Sequence, residues 1–74
     1  MVNFTILNLK TSKLVIDITI NKCNNSVVEL VESLVSPYFD NPRLFADDLL
    51  KNTDRYGSNI QTQGDYKVLY IQND

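Results

Sequence analysis

Large aliphatic residues occupy every second position in the run Leu14-Val15-Ile16-Asp17-Ile18-Thr19-Ile20. Because successive side chains of a β-strand point to opposite faces, this period of two predicts a strand with one buried face. That face would carry Leu14, Ile16, Ile18 and Ile20. Val2, Phe4 and Ile6 repeat the pattern nearer the N-terminus. The polar segment between the two runs is short, so the sequence predicts an antiparallel hairpin.

The period changes to that of a helix after Ile20. Ser26 and Glu29 have the spacing of a capping box, in which each side chain bonds to the backbone amide of the other residue. Apolar residues then recur at helical spacing and predict one buried helix face: Val27, Leu30, Val31 and Leu34. Pro37 should end the helix near Val35, because the residue before a proline avoids the helical conformation.

The rest of the chain predicts shorter elements. Two short strands are expected at residues 43–46 and 49–50, with a turn at Asp47-Asp48 between them. Residues 51–60 read as an irregular segment whose last residue is an apolar anchor. Residues 66–71 read as a final strand that is apolar on both faces near its end, which is typical of a central strand.

This order of elements predicts an α+β fold formed by a single domain over residues 1–74. One helix would pack across a mixed sheet of four to five strands. The last strand would lie in the middle of the sheet, parallel to the first. That arrangement is the ubiquitin-like β-grasp.

Composition disfavours several functional classes. Seven Lys and Arg face nine Asp and Glu, and a net charge of −2 disfavours binding to a phosphate backbone. Cys23 is the only cysteine, so no intramolecular disulfide can form. The first residues lack the basic start and apolar run of a signal peptide, so the expected location is the cytoplasm.

The sequence predicts neither an enzyme nor a cofactor or metal site. The chain contains no histidine that could activate Cys23 as a nucleophile. Asp47 and Asp48 are adjacent carboxylates, but a turn explains them and offers too few converging oxygen ligands for a metal. Gly57 and Gly64 are isolated, so no phosphate-binding loop is predicted.

The second half of the chain resembles ubiquitin-like domains, and within these it is most similar to the YukD/EsaB family of small bacterial proteins. The resemblance rests on residues 14–18 with the following helix, and above all on Leu49-Leu50-Lys51-Asn52-Thr53-Asp54-Arg55-Tyr56. There the family tends to show a Leu-rich strand, a polar turn and Asp-Arg-Leu. Two departures are that Tyr56 stands where a Leu is usual, and that Gly57-Ser58-Asn59 forms a shorter loop without the expected Tyr.

The family belongs to the WXG100 (type VII) secretion systems of Gram-positive bacteria. The resemblance implies a non-catalytic accessory or regulatory protein that docks on cytosolic domains of the membrane machinery, such as a pseudokinase-like subunit or an FtsK-type ATPase. A ubiquitin-like interaction domain of a larger protein is an alternative. A ubiquitin-like modifier is disfavoured, because conjugation needs a slim diglycine tail and this chain ends Gln72-Asn73-Asp74.

The predicted sheet has a candidate docking face on the side away from the helix. The first and last strands would present these residues there: Leu7, Leu9, Lys67, Leu69 and Ile71. An apolar group of this size on a small domain is a candidate protein interface, with Lys67 as its charged rim. The alternatives are that Tyr38 or Phe39 folds over these residues, or that they are ordinary exposed apolar side chains.

Overall fold

A computed structural model describes residues 1–21 and 27–73 of the protein. Within these residues the elements follow in the order β1 (Val2–Asn8), β2 (Lys13–Ile20), α1 (Val27–Val35), α2 (Pro42–Lys51), β3 (Asn59–Gln63) and β4 (Tyr66–Gln72). The strands of this described part form one sheet in the order β2-β1-β4-β3, with every neighbouring pair antiparallel. The predicted α+β class is therefore confirmed.

The predicted mixed sheet is wrong. β1 and β4 lie side by side in the centre as expected, but they run antiparallel, with Val2 opposite Gln72 and Asn8 opposite Tyr66. The difference involves β3, a strand where the sequence predicts part of an irregular segment and a turn. Because β3 and β4 form a tight antiparallel hairpin, β3 runs in the same direction as β1 and β4 runs opposite to both. The parallel central pair of a β-grasp is absent from this sheet, and the β-grasp is not confirmed.

The predicted hairpin of β1 and β2 is confirmed. Its turn begins at Asn8, whose side-chain oxygen accepts hydrogen bonds from the amides of Lys10 at 2.9 Å and Thr11 at 3.3 Å. The register shifts between Ile6 and Leu7, so that Leu7 lies opposite Leu14 and leaves Val15 as an extra residue.

This β-bulge changes the burial of β2. Leu14 leaves the face shared by Ile16, Ile18 and Ile20 and is 59% exposed, so its predicted burial is wrong. Ile20 is buried and Ile16 is half-buried, whereas Ile18 is 37% exposed. On this edge strand only Ile20 is therefore fully buried, and the predicted burial of Ile18 is wrong.

Helix α1 ends at Val35, as Pro37 predicts. Ser26, the predicted cap, lies outside the described residues. Val31 and Val35 are fully buried, whereas Leu30 is 40% exposed, so its predicted place on the buried face is wrong. The buried stripe is rotated towards Val31 and Val35, which are one helical turn apart.

Helix α2 replaces the two predicted short strands. Pro42 is its first residue, a position where the missing amide hydrogen costs no helical hydrogen bond. Phe45, Ala46 and Leu49 are buried at helical spacing against the core. The predicted turn at Asp47-Asp48 is therefore wrong, because both residues lie inside the helix.

A salt bridge joins the two helices. Arg43 of α2 donates a hydrogen bond to the Glu32 carboxylate of α1 at 3.2 Å, and the Asp47 carboxylate lies 3.7 Å from the Arg43 Nε. The hydrogen bond to Glu32, followed by the charge of Asp47, raises the pKa of Arg43. Because Arg43 is exposed, solvent screens this pair and its contribution to stability is small.

Both helices pack on one face of the sheet, where the core lies. The buried apolar residues are Val2, Phe4, Ile6, Ile20, Val31, Val35, Phe39, Phe45, Ala46, Leu49, Val68 and Tyr70. The ring of Phe39 stacks on Phe45 with centroids 4.5 Å apart, and Tyr38 lies 5.2 Å from Tyr66. The two aromatic residues that follow α1 therefore fold back onto the core.

Tyr70 brings a polar group into this core. Its side chain is 1% exposed, and its hydroxyl has no hydrogen-bond partner among the described residues. Burial raises the pKa of Tyr70 above its ordinary value of 10.0. An unpaired buried hydroxyl is unfavourable, so Tyr70 is held in place by the packing of its ring.

Candidate protein-docking surface

The sheet face opposite the helices is called the outer face here. Residues directly opposite each other in antiparallel strands point to the same side of a sheet. Because the even-numbered residues Val2, Phe4 and Ile6 face the core, the odd-numbered residues of β1 and their partners in β4 lie on the outer face. The pairs are Asn3 with Ile71, Thr5 with Leu69, and Leu7 with Lys67. The structure therefore places Leu7, Lys67, Leu69 and Ile71 on one face of the sheet, and their role in docking stays a prediction.

Leu9, the remaining predicted docking residue, lies one residue beyond the end of β1. Its amide donates a hydrogen bond to the carbonyl of Asp65 at 2.7 Å, and its side chain is 45% exposed. It therefore sits at the end of the sheet where the two hairpin turns meet, at the margin of the outer face.

Ile60, which the sequence predicts only as an apolar anchor at the end of an irregular segment, belongs to the outer face. It lies on β3 directly opposite Leu69 and is 51% exposed. Ile60, Leu69 and Ile71 form what we call the apolar patch, which spans the neighbouring strands β3 and β4. The sequence does contain a signal for β3. Ile60 and Thr62 alternate with polar residues directly before the turn residues Gly64-Asp65, which is typical of one strand of a hairpin.

The other half of the outer face is more polar. The Thr5 hydroxyl donates to the Asp17 carboxylate at 3.3 Å, and the Thr19 hydroxyl donates to the Asn3 side-chain oxygen at 3.4 Å. Leu14, opposite Leu7, forms a separate apolar pair at the corner of the sheet. The apolar patch is therefore confined to the β3–β4 half.

Neither of the two aromatic residues that could have covered the outer face does so. Tyr38 and Phe39 both pack against Tyr66, which lies on the core side of β4. In the described part of the chain, both helices also lie on the core side. The apolar patch is therefore open on the described surface.

An open cleft of about 330 Å³ borders the apolar patch at its Ile60 and Ile71 end. It is lined by Asn52, Asp54, Ser58, Asn59, Ile60 and Ile71. Its polar wall comes from the connection between α2 and β3, and its apolar wall is continuous with the patch. A partner on the patch would therefore also meet hydrogen-bonding groups at this margin.

The loop of residues 54–58 that forms this margin is closely hydrogen-bonded. The Asp54 carboxylate accepts from the amides of Tyr56 at 2.8 Å and Ser58 at 3.0 Å. Gly57 has a φ of 83°, which favours glycine, and its amide donates to the Asp54 carbonyl at 2.9 Å. The Ser58 hydroxyl accepts from the amide of Gln72 at 2.9 Å and so ties the loop to β4.

This loop presents an exposed Arg-Tyr pair. Tyr56 is 66% exposed. The Arg55 guanidinium donates a hydrogen bond to the Tyr56 hydroxyl at 2.7 Å and lies 4.8 Å from the centroid of the Tyr56 ring. Arg and Tyr are enriched among the residues that contribute most to protein interfaces.

No protein family, curated protein or solved structure matches this chain. Within residues 1–21 and 27–73, no group of three or more His, Cys, Asp or Glu side chains is arranged to hold a metal ion. Cys23 lies outside that range. Neither described helix, at nine and ten residues, has the length and apolar character needed to cross a membrane.

Proposed function

We propose that the protein is a non-catalytic docking module that binds another protein through its outer face, with the apolar patch at the centre of the interface. The supporting observation is that Ile60, Leu69 and Ile71 adjoin on two paired strands, on the side of the sheet opposite the helices. Fully burying an exposed isoleucine stabilises a complex by roughly 1.5–3 kcal/mol. Lys67, beside Leu69 on the same face, supplies the charged rim.

As partners we propose cytosolic domains of a type VII secretion machine, either the pseudokinase-like subunit or the FtsK-type ATPase, met in the cytoplasm. This part of the proposal is supported by the resemblance of residues 49–56 to the YukD/EsaB family. The ubiquitin-like β-grasp belongs to the same proposal, and the antiparallel pairing of β1 with β4 counts against it. The alternative of an interaction domain in a larger protein uses the same outer face.

The test is a quantitative pull-down of the purified secretion-machine domains with two Leu→Asp variants. Leu69→Asp places a carboxylate inside the apolar patch, where a partner would have to desolvate it, so binding should fall at least about tenfold. Leu44→Asp is the matched control, because Leu44 is 55% exposed on α2, away from the outer face. It should bind like the wild type.

Far-UV circular dichroism and a thermal melt establish that both variants are folded before binding is measured. A folded Leu69→Asp protein that binds as tightly as the wild type would exclude the apolar patch from the interface. If neither secretion-machine domain binds the wild type, the proposed partners are wrong.

A further inference from the structure

The hydrogen-bond pattern of the sheet determines which backbone groups point towards its free edges. Met1 and Asn73 exchange two hydrogen bonds, at 2.9 and 2.7 Å, and the amide of Leu9 bonds to the carbonyl of Asp65 at the other end of the same pair of strands. Hydrogen-bonded and non-hydrogen-bonded pairs alternate along an antiparallel ladder. The odd-numbered residues of β4 therefore bond to β1, and the even-numbered residues bond to β3.

It follows that β3 has free hydrogen-bonding groups on its outer edge. The even-numbered residues of β4 lie opposite Asn59, Gln61 and Gln63, which use their backbone groups in the β3–β4 ladder. The amides and carbonyls of Ile60 and Thr62 must then point away from β4. Because β3 is the last strand of the described sheet, these groups face an open edge.

The two edges of the sheet differ in their protection against pairing with another strand. β2 carries charges at Lys13 and Asp17 and a bulge at Val15, and these are devices that block edge pairing. β3 reads Asn-Ile-Gln-Thr-Gln, with no charge and no proline, and its register with β4 is regular. β3 is therefore the edge that can accept a further strand.

We propose that this further strand is β3 of a second copy of the chain, paired antiparallel about a two-fold axis at Gln61. In this register Ile60 of each copy exchanges both backbone hydrogen bonds with Thr62 of the other. Gln61 lies opposite Gln61, and Asn59 lies opposite Gln63. The pairing uses the whole of β3 and opposes no like charges, because the strand is uncharged and self-complementary.

The resulting dimer has one continuous antiparallel sheet. Contact along a single short strand is smaller than the roughly 1,200 Å² that stable interfaces bury, so the dimer forms at high protein concentration and dissociates on dilution. A two-fold axis perpendicular to the sheet keeps both outer faces on the same side. The inference rests on the sheet geometry and is independent of the proposed function.

Sedimentation equilibrium over micromolar to millimolar protein tests the pairing. The weight-average mass of the wild type should rise from 8.5 kDa towards twice that value. Thr62→Pro removes an outward amide and leaves the ladder to β4 intact, a substitution that edge strands tolerate, and it should stay at the monomer mass. Thr19→Pro is the matched control, because the amide of Thr19 points to the free edge of β2. It should dimerise like the wild type.

A charge-exchange pair tests the register and guards against a folding defect in the proline variant. Gln61→Lys and Gln61→Glu each place like charges opposite each other, so each should be monomeric alone, whereas an equimolar mixture should dimerise. A wild type that stays at 8.5 kDa at every concentration would overturn the proposal. So would a Thr62→Pro protein that associates like the wild type, or a mixture of the charged variants that stays monomeric.

Discussion

Leu49→Ala is the sharpest test of helix α2, the element that the sequence pattern mispredicted. Leu49 is fully buried between α2 and the sheet. Truncating a buried leucine costs about 2–5 kcal/mol, through lost transfer free energy and the cavity left behind. A 74-residue chain has a typical unfolding free energy of about 4–11 kcal/mol, so a large part of the stability would be lost. The melting temperature should fall by at least roughly 10 °C.

Leu44→Ala is the matched control on the same helix. Leu44 is 55% exposed, and alanine is a good helix former, so the unfolding free energy should change by no more than about 0.5 kcal/mol. Urea unfolding followed by far-UV circular dichroism measures both variants, with an unchanged m-value as the check on two-state behaviour. Equal losses for Leu44→Ala and Leu49→Ala would refute the helical placement of residues 42–51.

The remaining predictions concern three single positions. Tyr70→Phe removes a buried hydroxyl that has no hydrogen-bond partner within residues 1–21 and 27–73, and it should leave urea stability unchanged or higher by about 1 kcal/mol at neutral pH. A clear loss there would show that the hydroxyl has a partner. Because burial raises the Tyr70 pKa, the wild type should lose stability as the pH rises above 10.0 and through the folded-state pKa, and Tyr70→Phe should lose less. Gly64→Ala should cost about 1–2 kcal/mol in thermal unfolding, since φ is +60° while the added Cβ meets no atom within 4 Å; no loss would mean that the turn adopts another conformation. Asp54→Ala should speed hydrogen exchange at the amides of Tyr56 and Ser58, and unchanged rates would show that the carboxylate does not hold the loop.

The elements with a clear period were predictable from the sequence. The alternation of β1 and β2 gave their hairpin, and Pro37 gave the end of α1. The grouping of Leu7 with Leu69 is correct although the predicted direction of β4 was wrong. Side chains alternate between faces whichever way a strand runs, so reversing β4 keeps its odd-numbered residues on one face.

The elements without a clear period were not predictable. Residues 43–46 and 49–50 are short apolar runs, which periodicity alone cannot assign to helix or strand. The helix signal of α2 is Pro42 followed by buried residues at helical spacing. That spacing can be recognised only once the packing on the sheet shows which residues are buried. β3 is polar except for Ile60, and the bulge at Val15 depends on the partner strand. These features come from tertiary contacts rather than from local sequence.

Ile60 connects the two proposed surfaces. Its side chain belongs to the apolar patch, and its backbone groups point to the free edge of β3. Docking through the patch depends on side chains, whereas pairing of copies depends on main-chain amides, so the two can be separated experimentally. Leu69→Asp changes the patch and leaves the outward amides of β3 in place, and Thr62→Pro does the reverse. A protein that loses both activities in either variant would have one surface that serves both purposes.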